Sequence, residues 1–257
     1  MANTPSNQSI ERAVAVLQAI GTADAESVRA SDIARIIDLG ASTTGRILAT
    51  LENLGYVRRG PQGYRIGTAA LLLASQGLNH DPVHRESRAR AQELAQRIGL
   101  TSNVGVRDEG RAIYLCHFEG ARASKSHTMI GMDQPLHASA LGKCLLLDLS
   151  EQERISLLGD LPKYTERTIT DHADLGADLD VARRRGWAME DQEVALGRFC
   201  AAAPIRDARG RIVAALSISG RISDLRSLDL PMVTEDVIEV ADRISVGLGM
   251  ITAVPEG

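Results

Sequence analysis

Apolar residues recur at helical spacing in three short stretches near the start of the chain. In the first, Ile10, Ala13, Val14, Leu17 and Ile20 fall on one face, with Ser9 placed to cap the helix and Gly21 to end it. The second, over residues 30–37 and opening near Ser31, offers Ile33, Ala34, Ile36 and Ile37 before Leu39-Gly40 breaks the pattern. The third, over residues 42–54, has Ile47, Leu48, Leu51 and Leu54 on its inner face and Ser42, Thr43, Thr44, Gly45 and Arg46 on its outer face. Two short strand-like runs then flank Gly60-Pro61, within residues 55–66. Three small helices followed by a hairpin predict a winged helix-turn-helix over residues 1–67, a module that lays its third helix in the major groove of duplex DNA.

Beyond residue 67 the pattern changes. Residues 68–81 read as a linker helix, and a longer helix follows from Pro82 to Ile98, stopped by Gly99. The period then shortens to two over residues 101–106 and 112–118, joined by a turn at Asp108-Glu109-Gly110. Residues 117–131 are polar and irregular, with a short strand expected near 126–129. Helices are expected over 138–147, 151–158 and 173–185, strands over 187–192, 199–205 and 212–219, and a last helix from Pro231 to about Met250. A turn at 207–210 makes the final two strands a hairpin. Strands with helices around them and a closing antiparallel hairpin predict an α+β sensor fold with a central antiparallel sheet over residues 82–257.

Composition narrows this only in places. The 257 residues are 44% hydrophobic but contain one Trp and two Phe, so the cores must be aliphatic. Three cysteines, Cys116, Cys144 and Cys200, show no paired spacing, which argues against a disulfide framework. No signal segment and no membrane-length apolar run is present, so a cytoplasmic protein with no membrane partner is expected. The net charge is −4, yet residues 1–67 carry seven Arg against six acidic residues, and the Arg residues concentrate in the third helix and wing. A head with so little excess charge would gain affinity by working in pairs.

Candidate chemistry follows the same division. Arg46, Thr43, Thr44 and Ser42 stand where base edges and phosphates would lie; Arg58 and Arg59 precede the wing tip, and Arg12 can touch the backbone. The plain alternative is a solvated surface with ordinary capping hydroxyls. In the second domain His117, His127, His137 and His172 lack compact ligand spacing, so neither a metal nor another cofactor is expected. Cys144 and Cys200 lack a motif that would frame a nucleophile and read more simply as small buried side chains. Ser217 and Ser219 lie two apart on one strand and share a face, which suits either a ligand pocket or packing beneath a helix.

Four stretches together carry a resemblance: Ser9-Ile-Glu-Arg-Ala-Val14; Ser42-Thr-Thr-Gly-Arg46 with Leu51-Glu-Asn-Leu-Gly-Tyr56; Leu136-His-Ala-Ser-Ala-Leu-Gly-Lys143; and Cys200-Ala-Ala-Ala-Pro-Ile205 with Ala214-Ala-Leu-Ser-Ile-Ser-Gly220. In their order and spacing the chain resembles the IclR family of bacterial transcriptional regulators over nearly its full length. The resemblance implies a winged helix and a GAF-like effector domain with an antiparallel sheet. It implies dimers, often dimers of dimers, on pseudo-palindromic double-stranded DNA. It also implies repression, sometimes activation, of catabolic operons in response to small organic effectors, aromatic ones included. Effector positions carried over by the resemblance are Ala123, Ser126, Met129, Ala140, Leu141, Glu190, Cys200, Ser217 and Ser219. Leu141 stands where members often have a small residue and Glu190 where many have Asp. Both departures point away from a very small carboxylate such as glyoxylate and toward a larger, partly apolar or aromatic ligand. Ala41 and Gly45 replace residues that are often Lys and His, so the operator is expected to be particular to this chain. Some relatives hold a metal near the effector site, but no ligand set here supports one. The competing readings are a ligand-converting enzyme domain fused to a DNA-binding head, and an architectural DNA-binding protein without a ligand.

Overall fold

The computed structural model describes residues 7–23, 25–123, 129–225 and 227–251. The chain divides into two compact units, Met1–His80 and Asp81–Gly257. The first contains helices α1 (Gln8–Gly21), α2 (Ala30–Ile36) and α3 (Ala41–Asn53), strands β1 (Val57–Gly60) and β2 (Gly63–Ile66), and helix α4 (Thr68–His80). The first helix begins earlier than its hydroxyl suggests. Asn7 is the cap, its Oδ1 accepting from the Ser9 amide at 3.1 Å. Ser31 likewise lies inside α2, which Arg29 precedes without a side-chain cap.

The core of this unit joins Val16, Ile20, Ile33, Leu48, Leu51 and Val57. Four residues expected to face inward are instead open to solvent: Ile10, Val14, Ile36 and Leu54. Helical periodicity marks the face that avoids water, but it does not say whether this chain covers it. In the wing, β1 and β2 pair antiparallel from Val57↔Ile66 to Gly60↔Gly63. Val28 adds a one-residue bridge to Tyr64 through two 2.8 Å backbone hydrogen bonds. That approach explains Gly63, whose φ is +146° and where a Cβ would lie 2.6 Å from the Val28 carbonyl carbon. Gly63→Ala is expected to lower the stability of the head by more than roughly 1 kcal/mol, read as an earlier thermal transition; an unchanged midpoint would show that the wing can shift at no cost.

The second unit runs α5 (Pro82–Ile98), β3 (Thr101–Asp108), β4 (Arg111–Phe118), β5 (Asp133–Pro135), α6 (Ala140–Leu145), α7 (Glu151–Leu158), α8 (His172–Arg185), β6 (Ala188–Asp191), β7 (Arg198–Arg206), β8 (Ile212–Arg221), α9 (Ile222–Leu225) and α10 (Leu230–Gly247). The strand expected near 126–129 falls almost wholly outside the described residues. Strand β5 and the single turn α9 carry too little periodicity to be read from the sequence. The sheet is antiparallel throughout, ordered β5-β4-β3-β8-β7-β6.

Alternation in β8 sorts the two faces. Leu216 and Ile218 point to one side, where they join Leu94 and Ile98 of α5 and Val237 and Ile244 of α10. Ala215 points to the other, with Ala202 of β7, Leu141 and Cys144 of α6 and Leu175 and Leu179 of α8. Large side chains thus meet the long helices, and small ones let the short helix α6 approach closely. Gly142 completes that approach: a Cβ there would lie 2.5 Å from the Leu136 Cα.

Candidate functional site

In the first unit the third helix presents a polar N-terminal face. Ala41, Ser42, Gly45 and Arg46 are exposed and Thr43 is half-buried. Gly40 precedes the helix without a side-chain cap, so the amides of its first turn remain available to an acceptor such as phosphate. Thr44 is a correction to the expected set. It is 1% exposed, and its hydroxyl donates to the Gly40 carbonyl at 3.2 Å, so it is part of the core and does not face a groove. Arg58 and Arg59 are both exposed on β1, although alternate residues of a strand face opposite sides, so they diverge. The Arg59 guanidinium lies 5.9 Å from the centre of the Tyr64 ring. Arg35 is committed to Asp32 at 3.2 Å, whereas Arg12, Arg46 and Arg58 make no ion pair among the described residues. Arg12 and Arg46 line one shallow groove with Thr43 and Thr50, between α1 and α3.

In the second unit the sheet register assembles a polar patch on the face that carries α6. Cys200 stands opposite Ser219, and Ser219 opposite Thr101. One row further in, Ala202, Ser217, Asn103 and His117 are aligned across four strands. His117 belongs to this row because of a bulge. Val104 pairs with Cys116 and Gly105 with Tyr114, which leaves Leu115 without a partner and inverts the alternation of β4 beyond it. Tyr114 and His117 therefore share a face despite their odd spacing.

A cavity of about 400 Å³ opens at this end of the sheet. Thr101, Asn103, Tyr114, His117 and Ser219 contribute hydrogen-bonding groups to it, and Arg122, Arg198 and Arg221 contribute positive charge beside the carboxylate of Asp224. Met129 and Leu196 add apolar surface. Within it, His117 Nδ1 lies 2.7 Å from Asn103 Oδ1, which makes Nδ1 the protonated nitrogen and leaves Nε2 able to accept. Burial holds the His117 pKa below the usual imidazole value, against the opposing pull of Glu119 3.7 Å away, so the neutral ring is favoured. Its Nε2 has no hydrogen-bond partner among the described residues.

The expected effector residues divide accordingly. Ala123, Met129 and Ser219 line the cavity. Ala140, Leu141, Glu190, Cys200 and Ser217 are buried and do not line it. Ser126 lies outside the described residues. Glu190 sits behind the wall: its Oε2 is 3.3 Å from Arg198 Nε, and its Oε1 accepts the Val194 amide at 3.3 Å. Cys200 also contacts Arg198 Nε, at 3.2 Å. Burial pushes the thiols of Cys144 and Cys200 up to about 12, so neither is a nucleophile near neutral pH. The lining residues Asn103, His117, Arg122 and Arg221 were missed from the sequence. Arg198 has a signal in its spacing of two from Cys200 on one strand; on β4 the bulge concealed His117.

Among the described residues no group of three or more His, Cys, Asp or Glu side chains could hold a metal ion, and no helix is long and apolar enough to cross a membrane. Comparison with known proteins agrees with the two-part architecture. The model of the IclR helix-turn-helix domain matches residues 9–61, and that of the bacterial transcriptional regulator IclR C-terminal domain matches residues 75–246. The HTH-type transcriptional repressor AllR of Klebsiella pneumoniae is 32% identical over 247 residues, covering 95% of this chain and 90% of the relative. The HTH-type transcriptional regulator XynR of Escherichia coli K12 is 28% identical over 249 residues, covering 95% and 98%. A transcriptional regulator from Rhodococcus sp. RHA1 superposes with a TM-score of 0.82 at 29% identity, over 95% of this chain and 98% of its own. An IclR homologue from Microbacterium hydrocarbonoxydans, crystallised with 4-hydroxybenzoate, gives a TM-score of 0.82 at 25% identity over 94% and 99%. With both of its parts matched by the corresponding family models, the chain belongs to the IclR family of bacterial transcriptional regulators.

Proposed function

We propose that this regulator is a repressor that binds a pseudo-palindromic operator as a homodimer, or dimer of dimers, and is released by a small organic anion carrying at least one hydroxyl. One observation carries the reading: a single chain joins a solvent-facing helix with an unpaired Arg46 to a cavity of about 400 Å³ that is hydrogen-bonding and flanked by guanidinium groups. The cavity exceeds what a two-carbon acid needs, and Arg122 and Arg198 favour a negative charge in it. The polar wall formed by Thr101, Asn103, His117 and Ser219 suits a ligand hydroxyl. Met129 and Leu196 leave room for an apolar or aromatic portion, as 4-hydroxybenzoate has in the Microbacterium homologue. Glu190 and Cys200 act through Arg198, which they hold from behind. The antiparallel sheet, flanked by helices and cupping a polar site at one end, supports a GAF-like sensor fold. We place the head at residues 1–67, a linker helix at 68–81 and the effector domain at 82–257.

Release requires that the ligand bind one arrangement of the protein more tightly than the other. A thermal-shift screen of hydroxylated and aromatic acids, 4-hydroxybenzoate among them, tests the site. His117→Ala is expected to weaken the best ligand roughly tenfold, the worth of one buried hydrogen bond of about 1.4 kcal/mol, with operator binding unchanged. Equal ligand affinity in wild type and variant would remove His117 from the site. Stabilisation by none of the acids would count against the effector reading itself.

A further inference from the structure

Lys143 lies on α6 beside this site and is the largest fully buried side chain among the described residues. A lysine at 1% exposure must have its charge compensated, and here three elements supply the partners. Nζ donates to Glu193 Oε1 at 2.6 Å and to the Met189 carbonyl at 3.1 Å. Asp178 Oδ2 of α8 is 2.8 Å away, but not aligned as a hydrogen-bond acceptor, so this third contact is chiefly Coulombic. Glu193 belongs to the segment 192–197 between β6 and β7, which ends at Leu196 and Gly197 in the wall of the cavity, next to Arg198.

The same segment is also tied down through its backbone, at its base by two threonines and at Val194 by Glu190. Thr168 donates to the Glu193 carbonyl at 2.6 Å and Thr165 to the Gln192 carbonyl at 2.7 Å. Gln192 holds a φ of +62°, and its side chain accepts the Gly197 amide at 3.0 Å. A strained residue of this kind persists only if its surroundings fix it.

We propose that Lys143, Asp178 and Glu193 form a charge-balanced anchor that holds the 192–197 segment closed on the cavity, so that Lys143 is a positioning residue for ligand binding. The proposal rests on the cavity being the effector site, but its structural half does not. The other buried carboxylate here, Glu190, pairs with Arg198 and accepts the Val194 amide at 3.3 Å, so it holds the segment through the backbone, whereas Glu193 is the segment's own charged side chain. Arg185 and His137 are felt by the cluster only at a distance.

The anchor has a pH signature. Burial raises the Glu193 carboxyl to about 7, against the pull of Lys143, and its Oε2 has no hydrogen-bond partner among the described residues. A carboxyl whose value is raised in the closed state takes up a proton more readily there than in the open state. The closed segment is therefore favoured below its ordinary range near 4.5 and loses that advantage as pH rises toward about 7. Above that, ionised Glu193 is held only by Lys143.

Hydrogen exchange of the full-length protein without ligand tests the anchor, with rates corrected for intrinsic pH dependence. In wild type, protection over 192–197 is expected to fall as pH rises from about 4.5 to about 7, by up to about tenfold per pH unit, and to level off above that. Glu193→Gln keeps an acceptor for Lys143 without a titrating group, and is expected to hold the segment closed at every pH. Lys143→Met is expected to lower protection at 192–197 by at least about tenfold while peptides of α5 and α10 keep theirs. If Lys143→Met does not fold, Glu193→Ala replaces it, with the same local loss expected. Uniform change across the domain, unchanged protection at 192–197, or a pH dependence that survives Glu193→Gln would each overturn the anchor. A parallel titration with 4-hydroxybenzoate separates the two readings. If the probe binds wild type but binds Lys143→Met or Glu193→Ala equally well, the positioning role fails. If the whole acid screen leaves wild type unbound while the exchange results hold, it is the effector reading that fails.

Discussion

Arg46→Ala is expected to abolish detectable operator binding under conditions where the wild type saturates its DNA. Arg46 is exposed on the N-terminal half of α3, in line with the uncapped first turn, and makes no competing ion pair among the described residues. A bidentate arginine contact to guanine is worth about 1–3 kcal/mol, and the proposed dimer would carry two copies. The combined loss is therefore about 2–6 kcal/mol, or roughly thirtyfold to more than ten-thousandfold. Arg58→Ala and Arg59→Ala should behave differently. As phosphate contacts they are expected to weaken all sequences alike and to reduce the salt slope by about one for each phosphate left without its arginine. Gel shifts over a salt series measure both quantities. Binding by Arg46→Ala at wild-type strength would exclude α3 as the reading element.

The second large effect is expected from α4. This helix of 13 residues has no buried residue, and Leu71, Leu72 and Leu73 are 65%, 61% and 57% exposed. Consecutive leucines cover about 200° of a helix, so no orientation against a flat surface of the same chain would hide all three. Ile10, Val14 and Leu54 add exposed apolar surface in the same unit. Exposure of this many large apolar side chains on one small unit marks an interface, and a second copy of the head is the occupant that the proposed pairing on two half-sites requires. Leu72→Glu, or Leu71→Glu with Leu73→Glu, is expected to shift the protein toward monomer in sedimentation velocity. Operator affinity should fall by about a hundredfold or more, because the second head no longer binds as a tethered neighbour. A monodisperse dimer with intact DNA binding would show that this surface serves another purpose.

The sequence made the head legible because its signals are local. Helical spacing, the Leu39-Gly40 break and the Gly60-Pro61 turn each act within a few residues. What stayed hidden depends on partners far along the chain. Periodicity gave Ile10, Val14 and Leu54 a shared character but could not say that their own chain leaves them bare. Thr44 looked like a neighbour of Thr43 on an outer face, yet one helical step of about 100° turns it into the core. In the second unit, the order of strands and long helices followed from alternation and glycine stops. The cavity did not, because it exists only once β3, β4, β7 and β8 are in register. The bulge at Leu115 brings His117 beside Asn103, and no local pattern announces it. The family resemblance named Ser219, Ala123 and Met129, which line the cavity, but also Glu190 and Cys200, which here stand behind Arg198. Lys143 illustrates the same limit. Nothing within the helix expected over 138–147 accounts for a buried lysine; Asp178 and Glu193, 35 and 50 positions on, supply its partners.

The central claim is that one ligand site governs one DNA-binding surface. The most direct measurement is the affinity of the full-length protein for duplex DNA from upstream of its own reading frame, with and without each acid that stabilises it in the thermal screen. A coupling of about 1–3 kcal/mol is expected, which is a change of about five- to 150-fold in operator affinity, and His117→Ala should require more ligand to reach it. An operator affinity that stays the same with every stabilising ligand at saturation would contradict the account.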